Sequence, residues 1–251
     1  GAKGECNLGQ HEIAFLYDEV VRTCDNHVIY KTAAKELAVA HGQSITFMAK
    51  YDQREGNSCH IHLSLRGLDG SIAFADKRRK GGQSKVFDQF LAGVQATMRE
   101  FSYFYAPNIN SYKRFQPGSF APTAIAWGRD NRTCALRVVG QGAGLRMENR
   151  VPGGDVNPYL AVGAMLAGGL HGIENELKLE PAFVGNAYAA DVAHVPTTLA
   201  EARDLLAGSA IARVAFGDDV VDHYVNAADI EISAYNAAVT DWERVRGFER
   251  L

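Results

Sequence analysis

Charged and apolar residues alternate in one short segment, and this restricts its conformation more than any other feature of the chain. Arg146, Glu148 and Arg150 are separated by single residues within 145–151. On a strand such side chains share one face, whereas on a helix they would diverge. The segment therefore predicts a strand that carries a carboxylate between two guanidiniums. Two interpretations fit: a salt-bridge ladder on a solvated sheet, or a site where phosphate and a metal ion meet.

A second alternating segment carries two histidines. His60, His62 and Ser64 fall on one face of a predicted strand over 59–65, with apolar residues on the other face. Two imidazoles and a hydroxyl would then point into one space. Taken alone, this pair is more typical of a polar strand face in solvent.

Arginines and glutamates elsewhere supply further candidates for ion binding. Arg114, Arg132 and Arg137 lie among short strand-like runs, and guanidinium forks suit bidentate binding of carboxylate and phosphate. Each of them taken singly also fits an ordinary surface position. Glu5 and Glu12 flank a turn containing glycine, which can bring both carboxylates to one point. Carboxylates with an imidazole form a hard site that suits Mg²⁺ or Mn²⁺ better than tetrahedral zinc.

The wider pattern predicts an α+β fold. Strands gather in one part of the sequence and helices in others, which favours an antiparallel sheet with separate helices over a parallel βαβ fold. The predicted helices cover 18–40, 85–102 and most of the chain from residue 157, and the predicted strands cover 12–17, 44–49, 59–65 and short runs within 108–154.

Composition and the absence of common motifs narrow the function classes. The formal net charge of −3 offers no global attraction to nucleic acid or anionic lipid. No apolar run is long enough to span a bilayer, and neither a Walker A loop nor GxGxxG is present. The four cysteines are scattered without a CxxC pair, which is typical of free thiols in a reducing compartment. We therefore expect a cytoplasmic protein without nucleic-acid or membrane partners.

The order of the motifs along the chain resembles that of the glutamine synthetase family. The motifs are, in order, residues 9–12 (GQHE), 60–65 (HIHLSL), 110–114 (NSYKR), 117–118 (PG), 121–122 (AP), 131–132 (NR), 146–150 (RxExR) and 157–160 (NPYL). The resemblance spans nearly the whole chain and ends in a segment from Val239 that is similar to the family's C-terminal helix. It implies a catalytic domain over 1–251 with an antiparallel sheet lining the active site and helices packed outside. This domain would be truncated at its N-terminus and lack the family's small β-grasp domain.

The resemblance also implies a role for each candidate residue. Glu5 and Glu12 would hold one divalent ion. His60 and Glu148 would hold a second ion, which bridges to the γ-phosphate of ATP. The other implied roles are ATP contact by His62, Ser64, Arg132, Arg137 and Arg146, glutamate binding by Gly56, Arg114 and Arg150, and charge neutralisation during catalysis by Arg114, Arg132 and Arg150.

The implied reaction is an ATP-dependent ligation in two steps. The side-chain carboxylate of glutamate attacks the γ-phosphate of ATP, and an amine then displaces phosphate from γ-glutamyl phosphate. Two or more Mg²⁺ or Mn²⁺ ions and the arginines would neutralise the charge of the transferring phosphoryl group. The family forms homo-oligomeric rings with active sites between neighbouring subunits, and we expect the same here.

Two positions depart from the family pattern. Phe120 stands where glutamine synthetases carry a glutamate that helps to bind ammonium, and Glu55 stands where they carry an asparagine before the glycine of the glutamate-binding loop. Loss of the first carboxylate removes an electrostatic preference for ammonium, and an aromatic ring can line a route for an alkyl amine. We predict a polyamine or other alkyl amine as the acceptor, with Phe120 at the amine site. The chain thus resembles the branch of γ-glutamylpolyamine and γ-glutamylethanolamide synthetases.

Other functions remain open from the sequence. An ordinary glutamine synthetase that uses ammonia is the first alternative, if another loop supplies the missing carboxylate. A non-catalytic member that kept the fold is a second, although the four candidate metal ligands are all present. A phosphagen kinase shares an arginine-rich nucleotide site but explains neither the two-histidine motif nor the motif order.

Overall fold

The computed structural model describes residues 1–116 and 119–250. Helices and short strands are mixed along the chain, and the α+β class predicted from the sequence is confirmed. The Pro117-Gly118 motif lies outside the described residues. The elements are β1 (Ala2–Gly4), β2 (His11–Ile13), α1 (Val20–Ala40), β3 (Ile61–Leu63), α2 (Lys85–Thr97), α3 (Ser102–Tyr105), α4 (Ile109–Tyr112), β4 (Trp127–Arg129), β5 (Leu136–Val139), β6 (Arg146–Asn149), α5 (Pro158–Glu174), α6 (Leu199–Ala207), α7 (Ala210–Phe216), α8 (Asp218–Ala237) and α9 (Asp241–Arg250).

A four-stranded sheet carries the two alternating segments. Its strand order is β3-β6-β5-β4, and β6 is hydrogen-bonded to β3 on one side and to β5 on the other. Both pairings of β6 are antiparallel, as predicted, whereas β4 and β5 run parallel. Residues 130–135 return the chain to the start of β4, and Asp130 has a φ of 48° at this turn. Alternation of side chains identifies a strand but not its direction, so the parallel pair was not predicted.

The predicted strand over 44–49 is wrong. The segment carries no strand in the structure, because its polar groups bind loops instead of a neighbouring strand. The Asn57 amide donates to the Ala49 carbonyl (2.8 Å), and the Asn57 side chain donates to the Met48 carbonyl (2.7 Å). These bonds position the loop that contains Glu55 and Gly56.

The first hairpin and α1 follow the predicted pattern in part. β1 pairs with the short β2 in an antiparallel hairpin, and α1 ends at the predicted stop, where Gly42 has a φ of 67°. The apolar residues that indicated α1 are not all buried: Val21, Ile29 and Leu37 are each more than 60% exposed. Helical periodicity therefore predicted the helix correctly but not a buried face.

The core lies where α2 and α5 cross behind the sheet. The backbones of the two helices approach so closely that a Cβ at Gly93 would lie 2.0 Å from the Gly168 carbonyl oxygen. Only glycine allows this approach, because any side chain there would force the helices apart. Phe90 and Met165 are fully buried beside this crossing. The packed helices cover the apolar face of the sheet, where Val138 and Met147 join the same core.

The last third of the chain is helical, as predicted. α6 begins after Thr198, whose side chain accepts a hydrogen bond from the Glu201 amide (3.1 Å). α9 begins after Thr240, and Glu243 and Thr240 cap each other reciprocally. Within 1–116 and 119–250, no helix combines the length and the apolarity that crossing a bilayer requires.

Candidate active site

Glu148 lies in the middle of the polar face of the sheet. In the register of the strands it is paired with His62 of β3 on one side and with Arg137 of β5 on the other. Arg137 Nη1 donates to Glu148 Oε2 (2.8 Å), and His62 Nε2 lies 3.8 Å from Oε1. The two alternating segments of the sequence therefore form one row of ionisable groups across three strands.

Two more groups complete the surroundings of this carboxylate. Arg150 Nη1 donates to Glu148 Oε1 (3.1 Å), and His60 Nδ1 lies 3.4 Å from the same oxygen. Glu148 is only 2% exposed and Arg150 only 7% exposed. The interpretation of this segment as a ladder on a solvated sheet is therefore wrong, because its central charge is buried. Buried charges concentrated at one point are typical of functional sites.

The pKa values of these groups follow from burial and from the arginines. Burial by itself raises the pKa of the Glu148 carboxyl, but the hydrogen bond from Arg137 and the charge of Arg150 outweigh burial and hold it below its usual value. Burial, together with the positive charge of Arg150, lowers the pKa of His60 to about 3. His60 is therefore neutral at physiological pH, with a lone pair available to a metal ion.

His62 connects Glu148 to Arg146. Arg146 Nε donates to His62 Nδ1 (3.2 Å), so the other ring nitrogen, Nε2, carries the hydrogen of the neutral imidazole and faces Glu148. Ser64 follows on the same exposed face, while Ile61 and Leu63 pack against the core as the alternation predicted.

Arg137 is held from both sides, whereas Arg132 is not. Arg137 Nε donates to Asp130 Oδ1 (2.9 Å) while its Nη1 binds Glu148. Arg132 is exposed on the turn before β5. Of the two, Arg132 has the side chain that is free to reach a ligand from solvent.

Arg114 and Gly56, predicted to bind the same substrate, are in contact. A Cβ at Gly56 would lie 2.8 Å from Arg114 Cγ. Arg114 is 1% exposed and donates to Ser58 Oγ (3.0 Å) and to the Val151 carbonyl, while its Nε has no partner among the described residues. Burial lowers the pKa of Arg114 to about 10. The buried guanidinium thus keeps one unused donor.

Glu5 and Glu12 come together around a lysine. Lys3 Nζ lies 2.8 Å from Glu5 Oε1 and 3.0 Å from Glu12 Oε2. Hydrogen bonding from Lys3 lowers the pKa of Glu5. The two carboxylates converge as the turn between them predicted, and the space between them already accommodates a cation.

The four predicted metal ligands therefore form two pairs, Glu5 with Glu12 and His60 with Glu148. In the part of the chain that the structure describes, no three histidine, cysteine or carboxylate side chains are arranged so that they could hold one metal ion together. Mg²⁺ is commonly bound by one or two protein carboxylates and keeps several waters, so each pair fits part of such a site. The donors are hard oxygens and one neutral imidazole, which suits Mg²⁺ or Mn²⁺.

Comparison with known proteins decides the family. A sequence model described as glutamine synthetase, catalytic domain, matches residues 1–246. The chain belongs to the glutamine synthetase family. It is 65% identical to a gamma-glutamylethanolamide synthetase of Streptomyces coelicolor, over 100% of this chain and 54% of that protein. It is 42% identical to a glutamate–isopropylamine ligase of a Pseudomonas species, over 95% of this chain and 53% of that protein.

Solved structures agree with this family assignment. The fold matches a GmaS/ADP complex with a TM-score of 0.91 and 29% identity, over 99% of this chain and 59% of that chain. The chain thus spans about half the length of the curated glutamine synthetase relatives that it matches.

Phe120, the predicted amine-site residue, has an unusual conformation. Its φ is 58°, in the left-handed region that bulky residues rarely adopt, and its side chain is 62% exposed. The preceding residue, Ser119, lines an open cleft of about 640 Å³ that Glu55 also lines. Glu55 Oε2 is buried without a hydrogen-bond partner among the described residues and lies 3.6 Å from Arg54 Nε. Phe120 and Glu55 therefore lie at or beside the same cleft.

Two residues of the site were missed from the sequence. Asp130 holds Arg137, and Lys3 holds the Glu5–Glu12 pair. A signal for Lys3 was available, because it lies two residues before Glu5 and therefore on the same strand face. No sequence signal indicated Asp130, because this residue comes within reach of Arg137 only through the turn that makes β4 and β5 parallel.

Proposed function

We propose that this chain is part of an ATP-dependent ligase that joins the side-chain carboxylate of glutamate to an alkyl amine. The observation that carries the proposal is the cluster around the buried Glu148, in which two arginines and two histidines surround one carboxylate. Such a cluster is expected where the charge of a phosphoryl group must be neutralised away from water.

The acceptor is the part of the proposal that distinguishes this protein from an ammonia-using glutamine synthetase. Phe120 supplies no negative charge for ammonium, whereas its exposed ring can pack against a carbon chain or a substituted ammonium. The two relatives described above are, by name, enzymes for ethanolamine-derived and isopropylamine-derived products. Both features favour a small primary alkyl amine, with polyamines as the larger members of the same class.

The residues around Glu148 and in the loop at Gly56 have different tasks. Arg146 and His62 lie on the exposed side of the row and contact the phosphates of ATP, with Ser64 and Arg132 nearby. Arg150 and Arg137 neutralise charge on the transferring group beside Glu148. Gly56 lets the glutamate-binding loop pack closely against Ala49 and Arg114, because a Cβ there would lie 2.4 Å from the Ala49 carbonyl oxygen.

The metal ions have a separate part. Glu5 with Glu12, and His60 with Glu148, would each contribute ligands to one Mg²⁺ or Mn²⁺ ion. Bound there, the ions supply positive charge that polarises the phosphoryl oxygens. The neutral state of His60 keeps its lone pair available for this purpose.

We also propose a homo-oligomeric ring in the cytoplasm. α9 exposes Trp242, Val245 and Phe248, which are 68%, 69% and 91% exposed, and such a row is more consistent with contact to another subunit than with open solvent. The cysteines Cys6, Cys24, Cys59 and Cys134 are all free thiols, which supports a reducing compartment. The mass of the full-length protein in solution, measured by light scattering, tests the ring.

A product assay on the full-length protein tests the ligase. The protein is incubated with ATP, Mg²⁺, glutamate and one of ethanolamine, isopropylamine, putrescine or ammonia, and the γ-glutamyl products are measured by mass spectrometry. We expect an alkyl amide as the best product by kcat/KM. Glutamine as the dominant product at equal amine concentrations would contradict the acceptor, and no amine-dependent phosphate release would contradict the ligase.

A further inference from the structure

Lys3 occupies an unusual position between two carboxylates that we assign to a metal ion. Its Nζ lies 2.8 Å from Glu5 Oε1 and 3.0 Å from Glu12 Oε2, so one ammonium bridges both side chains. An ammonium held in this way compensates the two negative charges that a divalent ion would otherwise compensate.

The hairpin geometry makes this contact more than a chance surface pair. Lys3 of β1 is directly opposite Glu12 of β2 in the strand register, which brings their Cβ atoms to about 5 Å. Glu5 lies two residues after Lys3 and therefore on the same face. A backbone hydrogen bond from the Glu5 amide to the Gln10 carbonyl (2.9 Å) closes the turn. The backbone therefore directs all three side chains to one point.

We propose that Lys3 is a built-in counter-cation that competes with the divalent ion for Glu5 and Glu12 and so sets the metal affinity of this site. The inference rests on the proposed metal site. Lys3 is a positioning residue here, since it acts on the metal ligands and not on a substrate. Its side chain is 62% exposed and has a flexible four-carbon stem, so it can move into solvent when the ion binds.

The direction of the effect follows from the charge that Lys3 places between the two carboxylates. Without its charge, the two carboxylates repel each other, and a divalent ion relieves that repulsion on binding. Lys3 also helps to hold the carboxylates together, which favours binding, but the hairpin already does this through its backbone pairing. Competition therefore outweighs preorganisation, and removal of the charge tightens metal binding.

Binding of Mn²⁺ to the full-length protein, measured by the loss of the free-ion electron paramagnetic resonance signal, tests this inference. Lys3→Met should lower the dissociation constant of the Glu5–Glu12 site about 2- to 25-fold, the range expected for the loss of two exposed ion pairs. Lys3→Arg keeps the charge and should stay close to wild type. Lys178→Met is the matched control, because Lys178 is exposed and makes no ion pair in residues 1–116 and 119–250.

Glu12→Gln identifies the site in the same titration, and it separates the role of Lys3 from the assignment of a metal ion to the Glu5–Glu12 pair. If Glu12→Gln weakens one class of Mn²⁺ sites and Lys3→Met tightens that class, the inference is supported. If Glu12→Gln weakens binding but Lys3→Met leaves it unchanged or weaker, the role of Lys3 is overturned while the metal site stands. If Glu12→Gln changes nothing, the assignment of metal to this pair fails, and the role of Lys3 fails with it.

Discussion

Replacing Glu148 with alanine is expected to abolish ligation and also to destabilise the folded protein. A metal-ligating carboxylate on an exposed strand face would contribute little to core packing, so its removal would have little effect on folding. The environment of Glu148 is different. Glu148 is buried, and it is the carboxylate that compensates Arg150 (3.1 Å).

The size of the effect follows from the two arginines. Removing one partner of a buried ion pair and leaving the other charge uncompensated costs about 3–5 kcal/mol. Arg137 keeps Asp130 as a second partner, whereas the side chain of Arg150 is only 9% exposed. We therefore expect a loss near the lower end of this range, about 3 kcal/mol of unfolding free energy.

Urea unfolding of the full-length protein in the presence of a chelator measures this loss without a contribution from bound metal. Glu174→Ala is the matched control, because Glu174 is an exposed glutamate at the end of α5. Glu148→Gln keeps the shape and part of the hydrogen bonding, so it should be more stable than Glu148→Ala yet equally inactive. Equal unfolding midpoints for Glu148→Ala and Glu174→Ala would show that the buried cluster does not depend on its central charge.

Four further outcomes are expected. Phe120→Glu should shift the kcat/KM preference toward ammonia by restoring a negative charge at the amine site, and an unchanged preference would exclude a role in acceptor choice. Gly56→Ala should raise the KM for glutamate about tenfold or more, because the new Cβ would lie 2.8 Å from Arg114 Cγ and displace it. Gly247→Ala is the control and should leave this KM unchanged, because a Cβ at Gly247 meets no atom within 4 Å. Because the pKa of His60 in the folded protein is lowered to about 3, its contribution to stability is present above pH 6.5 and is lost as the pH falls toward 3. His60→Asn should therefore make the free energy of unfolding less dependent on pH between 6.5 and 3. Chelation of divalent ions should abolish amine-dependent phosphate release, and Mg²⁺ or Mn²⁺ should restore it; full activity in excess chelator would contradict the metal sites.

The local patterns were sufficient to predict elements and faces. Alternation placed Glu148, Arg146 and the two histidines on the polar face of a sheet, because the side-chain period of a strand depends only on the backbone. The order of the motifs was sufficient to identify the family, which the match over residues 1–246 confirms.

Long-range pairing was decided by the tertiary structure. The residues of 44–49 favoured a strand, but among the described residues no neighbouring strand pairs with them, and Asn57 donates hydrogen bonds to their carbonyl groups instead. The apolar positions of α1 predicted a helix without predicting that Ile29 and Leu37 would be exposed. A pattern of residues specifies what an element can bury or bond, whereas the partner depends on which distant segments arrive beside it.

The same distinction applies to the candidate site. The sequence by itself determined which ionisable residues share a face, since that is a property of neighbours along the chain. Only the tertiary structure decided that Glu148 would be buried between Arg137 and Arg150, and that Lys3 would lie between Glu5 and Glu12. The physical reason is that burial and charge pairing depend on distances across strands, and the register that sets those distances is established when the sheet and the hairpin close.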